Sequence, residues 1–184
     1  MFQRLGENFF MKKTRLSRRE FLFGFKHRFS LEPTHYTSIV HGPAKKADEF
    51  LNQGKYLDAK EIYLDMLKKN PDNLVVRQKL AYCYYKLGDI QKALKEFLEL
   101  RKRGVKNNFS SLYLGLCFAH MDDMENAINS LKKFFDITKP IVQRAINLQI
   151  ALYDSNMAKK EDLIDSIEQA IKEQSKMEST LNNK

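Results

Sequence analysis

The stretch GKYLDAKEIYLDMLKKNPDN (54–73) decides how this chain is read, because its pattern returns at GDIQKALKEFLEL (88–100) and again at DDMENAINSLKKFF (122–135). Each return falls 34 residues after the last. Working outward, the columns extend on both sides. Ala47, Ala81 and Gly115 share one phase, and so do Phe50, Tyr84 and Phe118. Gly54, Gly88 and Asp122 follow, then Tyr56, Ile90 and Met124. Ala59, Ala93 and Ala127 form the cleanest column. Tyr63, Phe97 and Leu131 come next, and Met66, Leu100 and Phe134 close each unit. Apolar residues within a unit recur at helical spacing, so each helix has one buried stripe. The alanines let two helices approach closely. Gly54 and Gly88 sit between paired helices, where a left-handed residue ends the first. Pro71, with Asp72 and Asn73, ends the second. The pattern predicts helix pairs near 44–53 and 56–69, 74–87 and 90–102, and 108–121 and 124–136.

A 34-residue period with these columns resembles the tetratricopeptide repeat. The resemblance covers roughly residues 40 to 140. It implies an all-α, helix-turn-helix repeat solenoid of about three units, and a binding scaffold whose ligand it does not name. One unit cannot bury its apolar face alone, so the units stack and share a core. The third is the weakest match: Asp122 replaces the turn glycine, and Pro140 falls one residue late relative to Pro71. The repeats span 41–139. Over 140–178 a helix with Ile141, Ala145, Leu148 and Leu152 on one side is followed by one near 159–176 with a stripe of Leu163, Ile164, Ile167 and Ile171. This pair lacks the glycine and alanine columns and reads as a degenerate unit capping the solenoid. Residues 179–184 have no apolar face and read as a mobile tail.

In the family this chain resembles, the first helix of each pair lines a concave groove. The positions outside the core columns are Gln78, Tyr82, Tyr85 and Lys86, then Leu112, Leu116 and His120, preceded by Asp48 and Asn52. Ile146, Ile150 and Tyr153 extend the same surface. Chaperone-binding members hold a C-terminal carboxylate with a lysine and asparagine clamp. Ala44 and Asp48 stand where that clamp needs Lys and Asn, which argues against that ligand. The expected partner is a protein or peptide.

Residues 1–40 are a different kind of sequence. Eight basic residues against three acidic ones give a formal +5, and seven of the 13 phenylalanines lie here. As a helix, Phe21, Leu22, Phe25 and Phe29 fall on one face, with Arg18, Arg19, Lys26 and Arg28 around it. That is a basic amphipathic segment suited to docking on an acidic membrane surface, on a partner or in the chain's own groove. Ser17-Arg18-Arg19-Glu20-Phe21-Leu22 also resembles the bacterial twin-arginine export motif. An export signal needs an apolar run of at least about 7 residues and a small-residue cleavage site. Here FLFGF runs into Lys26, His27 and Arg28, and no such site follows. A cytoplasmic protein, peripheral to the membrane through this segment, is therefore the favoured reading; twin-arginine export is the alternative. Residues 31–43 form a linker punctuated by Pro33 and Gly42-Pro43.

Composition limits the remaining classes. The net charge of +9 admits nucleic acid as a partner, but no RNA- or DNA-reading motif accompanies it. No stretch reaches the ~20 apolar residues of a membrane span. Cys83 and Cys117 are one period apart and read as small buried thiols. His27, His35 and His41 lack companion cysteines, so no metal is expected. There is no P-loop, nucleophile elbow or HExxH pattern, so neither a catalytic residue nor a cofactor is expected. What remains is a non-enzymatic interaction adaptor that binds a peptide or helix in its groove. The alternative is a targeting protein acting through residues 1–40 at the membrane or at the twin-arginine export machinery.

Overall fold

The computed structural model describes residues 42–182; the whole of the docking segment and the linker as far as residue 41 lie outside them, and Pro43, expected to end the linker, opens the first helix. Among the described residues eight helices follow one another: α1 (Pro43–Asn52), α2 (Tyr56–Lys69), α3 (Leu74–Lys86), α4 (Ile90–Lys102), α5 (Asn108–His120), α6 (Met124–Leu131), α7 (Pro140–Asp154) and α8 (Lys160–Asn182). No strand occurs among the described residues. The fold is an all-α helical repeat solenoid. In the first three units each helix packs antiparallel on its hairpin partner, and α2 packs on α3 as α4 does on α5.

The turns explain the period. Gly54 and Gly88 take φ +75 and +78, and Asp122 takes +61 in the same column. Asn156, 34 residues further on, takes +57. All four turns make the same two backbone bonds. Gly54 N–H donates to the Leu51 carbonyl and Lys55 N–H to that of Phe50; the pairs ending at Asp89, Asp123 and Met157 repeat this. These bonds satisfy the carbonyls orphaned at a helix end. Asp and Asn are the residues besides glycine that tolerate the left-handed region, so the third turn survives its substitution. The fourth unit keeps the turn column, in Asn156. It hides its second-helix columns because α8 starts four residues after the turn residue, where α2, α4 and α6 start two after it. Allowing for those two residues, Leu163, Ile167 and Ala170 take the places of Ala93, Phe97 and Leu100, and all six are buried.

Two helix bounds differ from the sequence expectation by more than one residue. The helix expected to reach 136 ends at Leu131. The cause is Asn108, whose side-chain amide donates to the Phe135 carbonyl at 2.6 Å and accepts from the Phe135 N–H at 3.0 Å. This exchange competes with helix continuation. The last helix, expected to end near 176 with a tail from 179, continues to Asn182. The other bounds agree with the expectation to within one residue.

The short α6 has a larger consequence. It leaves an eight-residue link, 132–139, before α7, where earlier units use four or five residues. On that longer link the last hairpin is not held closely against α6. Instead α8 packs on α5. The Tyr85 hydroxyl of α3 donates to the Glu168 carboxylate of α8 at 2.7 Å. Lys160 Nζ lies 2.6 Å from the Asp122 carboxylate, tying the start of α8 to the α5–α6 turn. Near its other end, Gln174 accepts from the Ile141 N–H and donates to the Thr138 carbonyl.

A candidate partner-binding groove

The expected groove residues fall into two groups. Lys86 and His120 are exposed, and Gln78 and Tyr82 are half-buried. Tyr85, Leu112 and Leu116 are buried, Leu116 completely. The two leucines share one apolar cluster with Leu163, Ile167 and Ala170 of α8. Leu112 and Leu116 are therefore core residues and not an open binding surface. Ile146 is likewise fully buried, while Ile150 and Tyr153 are partly so. The sequence carries the signal for this correction. In α5, NFSSLYLGLCFAH, every residue from Leu112 to Ala119 is buried. A helix apolar all round must be covered all round, and α8 supplies the cover.

The open part of the groove is aromatic. Tyr82 is its hub: its ring centroid lies 6.0 Å from Tyr56, 5.4 Å from Phe109 and 4.9 Å from Tyr113, all edge to face. Tyr85 continues the strip, 5.2 Å from Tyr113 and 5.8 Å from His120. Lys86 Nζ sits 5.8 Å from the Tyr56 ring centre, a cation–π arrangement. Phe109 is 36% exposed and Val75, one period earlier, is 64% exposed. Tyr56, Val75 and Phe109 were not among the expected groove residues. The recurrence of an apolar residue at 75 and 109, outside every core column, was the signal for two of them.

Charge in this region is largely balanced. Asp48 accepts Lys79 Nζ on both carboxylate oxygens at 2.7 Å, and the Tyr63 hydroxyl also donates to it. Gln78 accepts from the Asn107 side-chain amide at 3.2 Å. Burial pushes the Tyr82 hydroxyl up to about 12. Burial also raises Tyr85 and Tyr113, with the Glu168 carboxylate adding to both. All three hydroxyls are thus neutral donors at neutral pH. Tyr85, Lys86 and His120 come together around a cleft of about 400 Å³, with Gly88, Ile90 and Glu168 completing its walls.

Cys83 and Cys117 are free and buried, as their shared column predicts. Arg18, Arg19, Phe21, Leu22, Phe25 and Phe29, the expected docking residues, lie outside the described residues. Among those described, no helix is long and apolar enough to cross a membrane.

Paired helices on a 34-residue period, stacked about an aromatic face, define a helical repeat protein. A tetratricopeptide-repeat family model matches residues 50–117. Residues 50–117 thus carry tetratricopeptide repeats, and solenoids of this kind present extended concave binding surfaces. The crystal structure of MamA is similar in fold, with a TM-score of 0.53 at 14% identity over 75% of this chain and 79% of that one. No curated protein matches the sequence. Proteins of this repeat class are interaction scaffolds and typically not enzymes.

Proposed function

We propose that this chain is a non-enzymatic adaptor that binds a peptide or helix of a protein partner in its concave groove and so helps to assemble a complex. The observation that carries this reading is the strip Tyr56, Tyr82 and Phe109, partly open to solvent and flanked by Lys86. Aromatic anchors in concave surfaces tend to dominate binding energy. Because α8 covers the third unit, the partner lies along α1, α3 and the first turn of α5. The test is affinity capture with the full chain and with a Tyr82→Ala, Phe109→Ala double variant, followed by identification of what is retained. Loss of a reproducible partner at unchanged helicity is expected. Equal recovery would move the binding site off this groove.

A second reading rests on residues 1–40, with their formal +5 and seven phenylalanines. Leaving that many phenylalanines in water is unfavourable at roughly 25 cal/mol per Å². We propose that this segment stays attached and docks the chain, peripherally and from the cytoplasmic side, on an acidic membrane surface.

A further inference from the structure

The most exposed large apolar side chain among the described residues is Phe135, at 72%, and Ile137 close by is 64% exposed. Both stand on the 132–139 link between α6 and α7, at the edge of the solenoid where one unit hands over to the next. The residues between and before them turn inward: Phe134 is buried and Asp136 half-buried. A lone exposed apolar residue is ordinary on a protein surface. This pair differs because the backbone beneath it is pinned from several sides.

Asn108 of α5 exchanges two bonds with the Phe135 backbone, the same contact that ends α6 at Leu131. The Asp136 N–H donates to the Gln143 side chain of α7 at 3.0 Å. The Thr138 N–H and hydroxyl both donate to the Asp136 carboxylate, at 3.0 and 2.6 Å. The Thr138 carbonyl accepts from Gln174 of α8, and the Asp136 carbonyl from the Lys139 N–H. Side chains of α5, α7 and α8 thus all hold the link, and its polar groups fix its shape while its two large apolar side chains face solvent. A link held this way loses little conformational freedom when something covers it. Its charge is one-sided as well. Lys132 is paired with Asp154, and the only acid of the link, Asp136, is engaged by Thr138. Lys133 and Lys139 are exposed and, among the described residues, make no ion pair.

We propose that this link docks on an acidic phospholipid surface. Phe135 and Ile137 enter the boundary between headgroups and acyl chains, and Lys133 and Lys139 lie against the lipid headgroups. Charge complementarity selects this occupant. Lysine is depleted where proteins meet proteins, but beside an acidic bilayer each lysine adds attraction. Size points the same way. An aromatic side chain buries about 150–250 Å², so the pair falls well short of the ~800 Å² per partner of a stable protein interface. A bilayer takes up such side chains singly, with a strength that follows the apolar area inserted and the charge beside it. The site lies on the solenoid itself and does not rest on the docking proposed for residues 1–40.

The test uses the full chain and vesicles of phosphatidylcholine and phosphatidylserine in equal parts, with phosphatidylcholine vesicles as the comparison. The sequence contains no tryptophan, so Phe135→Trp places a unique fluorescent reporter on the link. On the acidic vesicles its emission should shift to the blue and be quenched by bromine on the lipid acyl chains. The same reporter introduced by Leu57→Trp, at an exposed position near the start of α2 on the opposite edge of the solenoid, should stay unquenched. Phe135→Ser and Ile137→Ser should each weaken vesicle binding about tenfold, and Lys133→Gln and Lys139→Gln about fivefold each, with helicity unchanged. The proposal is overturned if the chain binds the acidic vesicles while the reporter on the link stays in water, which would leave binding to residues 1–40 alone. It is overturned equally if the chain binds neither kind of vesicle, which would give the pair to a protein surface, or binds both alike, which would remove the acidic lipid.

Discussion

Gly115→Ala tests how closely α5 and α6 approach. A Cβ at this position would lie 2.7 Å from Leu131 Cγ, 2.8 Å from Leu131 Cδ2 and 3.1 Å from the Ala127 carbonyl oxygen. Two effects favour alanine. It is about 1 kcal/mol better than glycine inside a helix, and a buried methyl adds about 0.8 kcal/mol. Against them stands a contact about 1 Å shorter than the ~3.5–4.0 Å optimum between carbons. Cγ is the branch point of Leu131, and the third neighbour is backbone, so neither yields without moving α6. Overpacking of this kind costs about 1–3 kcal/mol, and a clash this short belongs at the upper end. The net expectation is a loss of about 1 kcal/mol in a urea unfolding series. Ala47 and Ala81 hold the same column in the earlier units, where the facing column has the rings of Tyr63 and Phe97 instead of a branched leucine.

The decisive measurement is the same substitution in a Leu131→Ala background. There the obstruction is gone, and Gly115→Ala should stabilise by about 1 kcal/mol through helix propensity. The cycle then gives a coupling of about 2 kcal/mol, within the range for residues in contact. If Gly115→Ala stabilises the parent chain as much as it does the Leu131→Ala background, the two helices are not in the contact described.

Ala93→Leu should cost about 1–3 kcal/mol by overpacking, read as a lowered denaturation midpoint; an unchanged midpoint would take this column out of the helix interface. Burial pushes the thiols of Cys83 and Cys117 up to about 11 and 12 from an ordinary 9.0. Both should resist a disulfide reagent at pH 8 until the chain unfolds, and their contribution to stability, complete below pH 9, should fall as pH rises through 11 because the unfolded chain releases those protons first. Ile167→Asp buries an unpaired charge and should release α8, raising hydrogen exchange in α8 and α5 while α1–α4 stay protected; uniform loss of protection would make α8 part of a single cooperative unit. If residues 1–40 dock on anionic lipid, intact chain should leave the membrane fraction at high salt, since each Lys or Arg contributes about 1 kcal/mol and is screened. Mature chain outside the cytoplasm, lacking this segment, would instead favour twin-arginine export.

The repeat was legible because its columns report purely local requirements. A left-handed turn residue, a small residue at a close helix contact and a bulky one opposite each leave a fixed mark every 34 positions. The fourth unit read as degenerate because two extra residues between Asn156 and α8 shift its columns out of register, although Leu163, Ile167 and Ala170 still make them. The early end of α6 was hidden for another reason. Lys132 to Phe135 suit a helix locally, and only Asn108, 27 residues earlier, draws the Phe135 backbone away. The groove assignment failed at Leu112 and Leu116 because periodicity identifies a face, not whether a later helix covers it.

That cover bears on how a partner can be held. In a regular solenoid the concave face stays open along its whole length. Here α8 lies against α5 and closes it over the third unit, with Glu168 taking the Tyr85 hydroxyl. The position equivalent to Tyr85 in the third unit is Ala119, and the positions equivalent to Leu112 and Leu116 in the second are Gln78 and Tyr82. The two segments therefore differ in kind: an aliphatic one filled from within the chain, and an aromatic and polar one left half-open. The first is satisfied by apolar burial alone. The second offers ring edges, a lysine over a ring and an amide, which contribute most to a ligand that has both an apolar body and polar groups at set positions. On the function proposed above, specificity for a partner would belong to Tyr56, Tyr82, Lys86 and Phe109. α8 fixes where the open groove ends, so it sets the length of segment that these residues can read.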